Sequence, residues 1–424
     1  MLDLRSYLPA ARGGRRAAWR SAEDAVAQIP EGARVFLGTG PTTPIHLVHA
    51  LNDQRHRWRR LEIVMPMVQQ PLPIFEHAGQ PFSFVSTQAS PALRSLWPTG
   101  HLQVLPTRFS DYAALCGPDG PLPCDVALVT VSPPAADGRV SLGVSVGSTV
   151  MPARSASLLI VQVNANVPYT FGAGELAMDE IDTFVKDDFD IVDTRASSGP
   201  PDDVVGRIAD LAAEVILDGA TIQFGIGTIP DAILGRLHGK RGLRVHSGLV
   251  TEACLDLFEA GVVEGVMVAA EVVTTDRMRS WVHRNPAVLM GPPALTHGAA
   301  ALSGLERFVA VNSTVEVALD GSANSEMAAG EVISGPGGAP DFAFGAGLAS
   351  GGRSILALRS TAARGAVSRI VRRIEPPSPV TLPSYLADVL ITEHGRAEVR
   401  GLAGAARAEA IRNLADAPHR NALT

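Results

Sequence analysis

Apolar positions along the chain follow two rhythms. Short unbroken apolar runs, ARVFLG (33–38), LEIVMP (61–66), CDVALVTV (124–131) and SLLIVQV (157–163), predict buried strands. Helix-like stretches such as PIHLVHALNDQ (44–54) lie between them. The second half repeats the style. In DDVVGRIADLAAEVIL (202–217), Val204, Val205, Ile208, Leu211, Ala212, Val215 and Ile216 fall on one face of a helix. TIQFGIG (221–227) then predicts a strand running into a glycine turn, and MVAAEVV (267–273) reads as another strand. This alternation predicts an α/β fold with open, mostly parallel sheets covered by helices.

Ser, Gly and Pro cluster in TRASSGPPDD (194–203), which marks the expected boundary between two α/β domains, 1–196 and 203–424. Each half carries a glycine-bearing strand-to-helix turn early in its course, LGTGPTTPIHLV (37–48) and FGIGTIPDAIL (224–234). That likeness suggests duplication of one fold.

Composition narrows the chemistry. The 424 residues have room for two or three domains, and 46% hydrophobic against 19% charged residues is a globular balance. A net charge of -7 gives no general attraction to nucleic acid. Lys186 and Lys240 are the only lysines, so covalent lysine chemistry is not expected, while the many arginines suit a phosphorylated ligand. Cys116, Cys124 and Cys254 have no paired spacing, which argues against a disulfide framework and against a zinc or other metal site. The N-terminal stretch is basic but has no apolar signal region, and no run of 18 apolar residues occurs. The expectation is a soluble cytoplasmic protein that binds neither nucleic acid nor membrane.

Three segments carry candidate chemistry. The first is FGIGTIPDAIL, where Gly225 and Gly227 lead into a helix near Pro230. Amides at such a turn can hold an oxyanion, or the turn is an ordinary tight connection. The segment GPGGAPDFAFGAGLASGGRSILALRSTA (335–362) packs seven glycines around Asp341, Phe342 and Arg353. It predicts two close-approach loops joined by a short strand, with exposed amides and Arg353 suited to phosphate or pantetheine. The alternative is a flexible linker, which Phe342, Phe344 and the strand-like RSILAL oppose. HSGLVTEACLDLFEAGV (246–262) predicts a loop followed by a helix. His246 is a candidate general base or a structural hydrogen-bonder, Glu252 and Glu259 are surface carboxylates on the plainest reading, and Cys254 is a small core residue.

Taken together, these blocks resemble the acetyl-CoA hydrolase/CoA-transferase family. FGIGTIPDAIL resembles its G-I-G-x-I-P turn, and HSGLVTEACLDLFEAGV its H-S/T-E-M-x-S-D-G-x-x-D-L-x-E-x-G stretch. SPPAADGRVSLGVSVG (132–147), NANVPYTFG (164–172), VNSTVEVALDG (311–321) and ITEHGRAEVRGL (391–402) look like further family blocks in the right order. The resemblance implies two CoA-transferase-like α/β domains with the active site between them, and a homo-oligomer, a dimer. It implies coenzyme A as ligand, an acyl-CoA and a small carboxylate as substrates, and no metal. It places Gly38, Gly40, Gly225 and Gly227 at the oxyanion or substrate loops. It places Asn312, Asp341, Phe342, Gly345, Ser350, Gly351, Gly352 and Arg353 against coenzyme A.

The family's transferases attack the thioester with a glutamate, passing through an acyl-glutamyl anhydride and a glutamyl-CoA thioester. On the gapless match of the two stretches that glutamate falls on Gly248, and Glu252 falls on an aspartate four residues on. Glycine cannot form the covalent intermediate. Three readings stay open. Another carboxylate, Glu252 or then Glu271, serves a CoA transfer. Alternatively the pocket hydrolyses or decarboxylates an acyl-CoA, with His246 or Glu252 moving protons. Or the chain binds CoA esters without catalysis.

Overall fold

The computed structural model describes residues 4–11, 13–15, 17–194 and 201–423, apart from the side chains of Arg5 and Ala113. Of the predicted boundary segment 194–203, residues 195–200 lie outside the described residues. The chain forms two compact units, Met1–Arg195 with Val268–Leu295, and Ala196–Met267 with Thr296–Thr424. The expected second domain, 203–424, is therefore interrupted: the chain returns to the first unit along the strand Met267–Val272 and leaves it again before Thr296.

The first unit is built on eight parallel strands. Their order is Ala18–Trp19, Thr183–Lys186, Leu158–Val163, Val126–Val131, Arg34–Leu37, Leu61–Val64, Phe82–Ser86 and Leu102–Val104. The unbroken apolar runs are explained by cover on both faces; every residue of Val126–Val131 is buried. Helix Ile45–Asp53 lays Leu47, Val48, Ala50 and Leu51 on that core. The chain moves outward in one direction from Arg34–Leu37 and then crosses to its other side at Val126–Val131. Strand order reverses there, which opens a crevice at the carboxyl ends of those two strands.

The second unit follows the same plan. Val389–Thr392, Arg353–Ala357, Phe308–Ser313, Thr221–Phe224 and Arg244–Val250 are parallel neighbours, with Gly395–Glu398 antiparallel outside Val389–Thr392. Order reverses between Thr221–Phe224 and Phe308–Ser313. Helix Asp203–Val215 starts where Asp202 accepts a 3.0 Å hydrogen bond from the Val205 amide, and it buries Val205, Ile208, Ala209, Leu211, Ala212 and Ala213.

Two local expectations are corrected. Residues 246–250 are not a loop but the end of the seven-residue strand Arg244–Val250. The glycine-rich block is not two loops around a strand: Ala339–Leu348 is a helix, and only then does Arg353–Ala357 form the strand. Pro340 suits the first helical turn. Gly345 sits inside the helix at a cost of roughly 0.5–1 kcal/mol, and a Cβ there would come within 2.5 Å of Leu302. Close packing against Leu302 accounts for that glycine. Among the described residues no helix is long and apolar enough to cross a membrane.

Candidate functional site

Each unit has a cluster at its own crevice. In the second unit the strands bring Gly225, Asn312 and Gly248 to the carboxyl edge of the sheet. Phe224 pairs with Val311, and the Phe224 amide donates to Ser247 Oγ at 3.4 Å, so the next residues along these strands share that edge. Gly248 lies in strand backbone, outside the left-handed region. Its empty side-chain position is closed by a residue that the sequence reading did not single out, His297. A Cβ on Gly248 would lie 3.0 Å from His297 Nε2 and 3.5 Å from the Phe342 ring. A Cβ on Gly338 would lie 2.5 Å from the same Nε2. The imidazole is thus slotted between two glycine backbones, with the Phe342 ring centroid 4.3 Å from its own.

His297 is 4% exposed. Burial, reinforced by the neighbouring His246, holds its pKa well below the usual histidine range, so the ring is neutral at physiological pH. Its Nδ1 lies 2.7 Å from Thr296 Oγ1. His246 Nε2 lies 3.1 Å from the Thr296 carbonyl oxygen. A carbonyl only accepts, so His246 carries its proton on Nε2 and donates it there. That nitrogen is engaged, which removes it as a proton acceptor for a substrate. Glu252 opens helix Glu252–Glu259 and is half-buried.

The other predicted residues divide. Asp341 and Phe342 are buried in the first turn of helix Ala339–Leu348, with Phe342 against His297. The Asn312 amide exchanges hydrogen bonds of 3.3 and 3.4 Å with buried Gln223. Ser350, Gly351, Gly352 and Arg353 sit elsewhere. Arg353 pairs with Val309, whereas Asn312 pairs with Leu356, so this group stands at the amino edge of the sheet, opposite Gly248. A Cβ on Gly352 would meet the Ala346 carbonyl oxygen at 2.2 Å, and Arg353 pairs with Glu398 at 3.2 Å.

The glycine amides are mostly engaged. Gly225 donates to Val311 O at 2.9 Å, Gly38 to Leu128 O at 2.7 Å and Gly40 to Met67 O at 3.0 Å. These three amides are therefore turned toward carbonyl oxygens within their own units. Gly227 begins helix Thr228–Gly235 with φ 129°, an angle open to glycine, and nothing lies within 4 Å of its Cβ position.

In the first unit, Glu271 bridges Ser145 across antiparallel backbone. The residue is half-buried, but its carboxyl is enclosed by protein, and that burial pushes its pKa up to about 8 against the opposing Ser145 hydroxyl and Ser148 amide. Ser145 Oγ is buried and makes no hydrogen bond of ordinary geometry, yet it stands near enough to favour the ionised carboxyl. Thr39 Oγ1 lies 3.2 Å from Ser148 Oγ and 3.4 Å from Thr149 Oγ1. The Gly40 turn packs beside them, its Cβ position 3.6 Å from Ser145 Oγ. A carboxyl beside the Ser145 hydroxyl and mostly protonated at neutral pH is equipped to give a proton.

Two mixed α/β units with large, mostly parallel sheets and crevices at their strand-order reversals define the class of protein. The profile of the acetyl-CoA hydrolase/transferase N-terminal domain matches residues 12–194, and that of the C-terminal domain matches residues 275–424. The 4-hydroxybutyrate coenzyme A transferase of Clostridium kluyveri is 33% identical over 415 residues, covering 95% of both chains. The acetyl-CoA hydrolase of Neurospora crassa is 25% identical over 332 residues, covering 68% of this chain and 62% of that one. RipA from Yersinia pestis superposes with a TM-score of 0.88 at 26% identity, over 100% of this chain and 98% of its own. The chain belongs to the acetyl-CoA hydrolase/transferase family and is an enzyme of that family.

Proposed function

We propose that this enzyme binds coenzyme A esters and breaks their thioester without a covalent intermediate at residue 248, so that water receives the acyl group. The observation that carries this reading is Gly248 itself: a strand residue with no side chain, its side-chain space closed by a neutral imidazole. Relatives named as CoA transferases and as acetyl-CoA hydrolases both support acyl-CoA as the substrate class. A thioester is an activated acyl group, so hydrolysis needs a base for water and a donor for the oxyanion. Gly227 is the turn glycine with open space beside it for that second task.

CoA transfer to a small carboxylate is the second reading, and it requires an ionised carboxylate elsewhere. Glu271 fits poorly, because a carboxyl with a pKa near 8 is mostly protonated at neutral pH. Glu252, the first residue of helix Glu252–Glu259 and four residues beyond Gly248, is the candidate nucleophile for that reading. The deciding experiment incubates the enzyme with a panel of acyl-CoAs, with and without acetate, and follows CoA and exchanged thioester by mass. CoA release independent of acetate supports hydrolysis. New acetyl-CoA formed only with acetate supports transfer, and no CoA binding by calorimetry overturns both.

A further inference from the structure

We infer that the arginine-rich hairpin of the second unit, residues 359–373, takes the phosphates of coenzyme A, with Arg364, Arg369 and Arg372 as their partners. The inference rests on the coenzyme A binding proposed above and holds for hydrolysis and transfer alike. Three observations carry it. The first is charge. Arg359, Arg364, Arg369, Arg372 and Arg373 fall in one stretch without an Asp or Glu, in a chain of net charge -7. Two of them are engaged, Arg359 with Asp202 at 2.9 Å and Arg373 with Glu375. The side chains of the other three make no hydrogen bond or ion pair among the described residues. Arg364 and Arg372 are exposed and Arg369 is half-buried. The second is place. Thr361–Ala362 pairs antiparallel with Val367–Ser368, and the Arg369 amide donates to the Ser360 carbonyl oxygen at 2.8 Å. The hairpin therefore closes just beyond the carboxyl end of strand Arg353–Ala357, the sheet edge at which Gly248 lies. That strand stands three places from Arg244–Val250, a lateral separation of about 14 Å. An extended pantetheine arm, which joins the reacting sulfur to the phosphates, spans such a distance. The third is shape. Ala363 and Arg364 have φ of 50° and 57°, left-handed values that non-glycine residues rarely adopt. His419 Nε2 donates to the Gly365 carbonyl oxygen at 2.8 Å, which ties this tip to helix Ala417–Arg420. Strained backbone persists only where its surroundings over-determine it, and such places cluster at ligand sites.

The class of ligand follows from what the hairpin lacks. Burial, reinforced by the neighbouring Arg359, holds the Arg369 pKa below the usual arginine range, with Glu393 opposing. Glu393 itself is claimed by Ser360, whose hydroxyl donates to it at 2.6 Å and whose amide donates at 2.9 Å. A phosphate against Arg369 supplies the countercharge that the fold leaves out, and the planar guanidinium suits it with paired donors. Arg372 follows three residues along extended chain, about 10 Å away. A single small carboxylate would engage one of these groups, whereas a ligand with several phosphates engages more than one. The negative charge of the whole chain opposes a long polyanion such as nucleic acid, so a compact phosphorylated ligand fits best.

The test is calorimetry on the full chain with CoA, pantetheine and ATP. Wild type is compared with Arg369→Gln and with the double variant Arg364→Gln, Arg372→Gln. Wild type should bind CoA more tightly than pantetheine. Each variant should bind CoA about tenfold more weakly, the loss of a charge-assisted hydrogen bond, with pantetheine binding unaltered. The double variant removes only exposed side chains, so its melting temperature should match wild type; if Arg369→Gln fails to fold, the double variant decides. CoA affinity within about twofold of wild type in a folded variant overturns the assignment. Loss of ATP binding with CoA binding intact gives the arginines to a free nucleotide and overturns it too. A wild type that binds no CoA refutes the acyl-CoA reading itself, a different outcome from CoA binding that ignores the hairpin.

Discussion

The two crevices are built alike and equipped oppositely. In each unit a central strand ends in a glycine turn, where strand order reverses and a helix begins. The first unit fills its crevice with hydroxyls and one carboxyl, Glu271, raised to about 8 by burial. The second fills its own with an imidazole held neutral by burial, wedged between glycines. In both, the dominant influence is desolvation, which favours the neutral form. A buried carboxyl thereby keeps a proton to donate, while a buried imidazole loses one and can accept. The two frames are alike, and the buried ionisable groups of each crevice differ in the proton chemistry they permit.

The largest expected break in this contrast comes from Gly338→Ala. Its Cβ would sit 2.5 Å from both Cδ2 and Nε2 of His297. Displacing a buried ring costs about 1–3 kcal/mol, so melting temperature and turnover should fall together. Gly248→Glu comes next. The backbone conformation permits a side chain, but Nε2 at 3.0 Å blocks it, so the single variant should lose stability without gaining CoA exchange. Combined with His297→Gly it should recover stability and acquire acyl-CoA:carboxylate exchange, checked by label transfer to acetate. No exchange in the double variant would show that residue 248 does not face the substrate.

In the first crevice the expected effect is smaller and depends on pH. Below about 4.5 Glu271 is protonated in both folded and unfolded chains; between 4.5 and about 8 the unfolded chain ionises while the folded carboxyl keeps its proton. The unfolded state then binds fewer protons, so this residue's contribution to stability falls as pH rises through that window and is constant above it. Glu271→Gln should gain melting temperature over wild type near pH 8 and little near pH 4.5. An equal change at both values would mean that the carboxyl is ionised in the fold. The smallest effect is expected from Arg353→Ala. Its pair with Glu398 is 41% and 46% exposed, which is worth about 0–1 kcal/mol. CoA affinity should be unaltered, because Arg353 stands at the opposite edge of the sheet from Gly248; weakened CoA binding would return the amino-edge loop to the ligand.

Alternation and apolar runs by themselves determined the α/β class, the principal strands and the leading helices of both halves. Those signals are local, since a buried parallel strand must be apolar along its length. Motif order likewise determined the family. Two kinds of information lay beyond local pattern. Glycines at 345 and 352 read as ligand loops, but they answer neighbours at Leu302 and Ala346 that only packing brings near. Gly225 and Gly40 read as part of oxyanion or substrate loops, and only the fold shows that their own amides donate to carbonyl oxygens of adjacent segments. His297, inside the plain stretch LTHGAA, carried no periodicity or spacing to mark it. It matters because strand Arg244–Val250 and the start of helix Ala339–Leu348 leave a glycine on each side of its ring. Tertiary structure decided which glycine is room for a neighbour and which histidine is held neutral, because both depend on atoms distant in the chain and on the water they exclude.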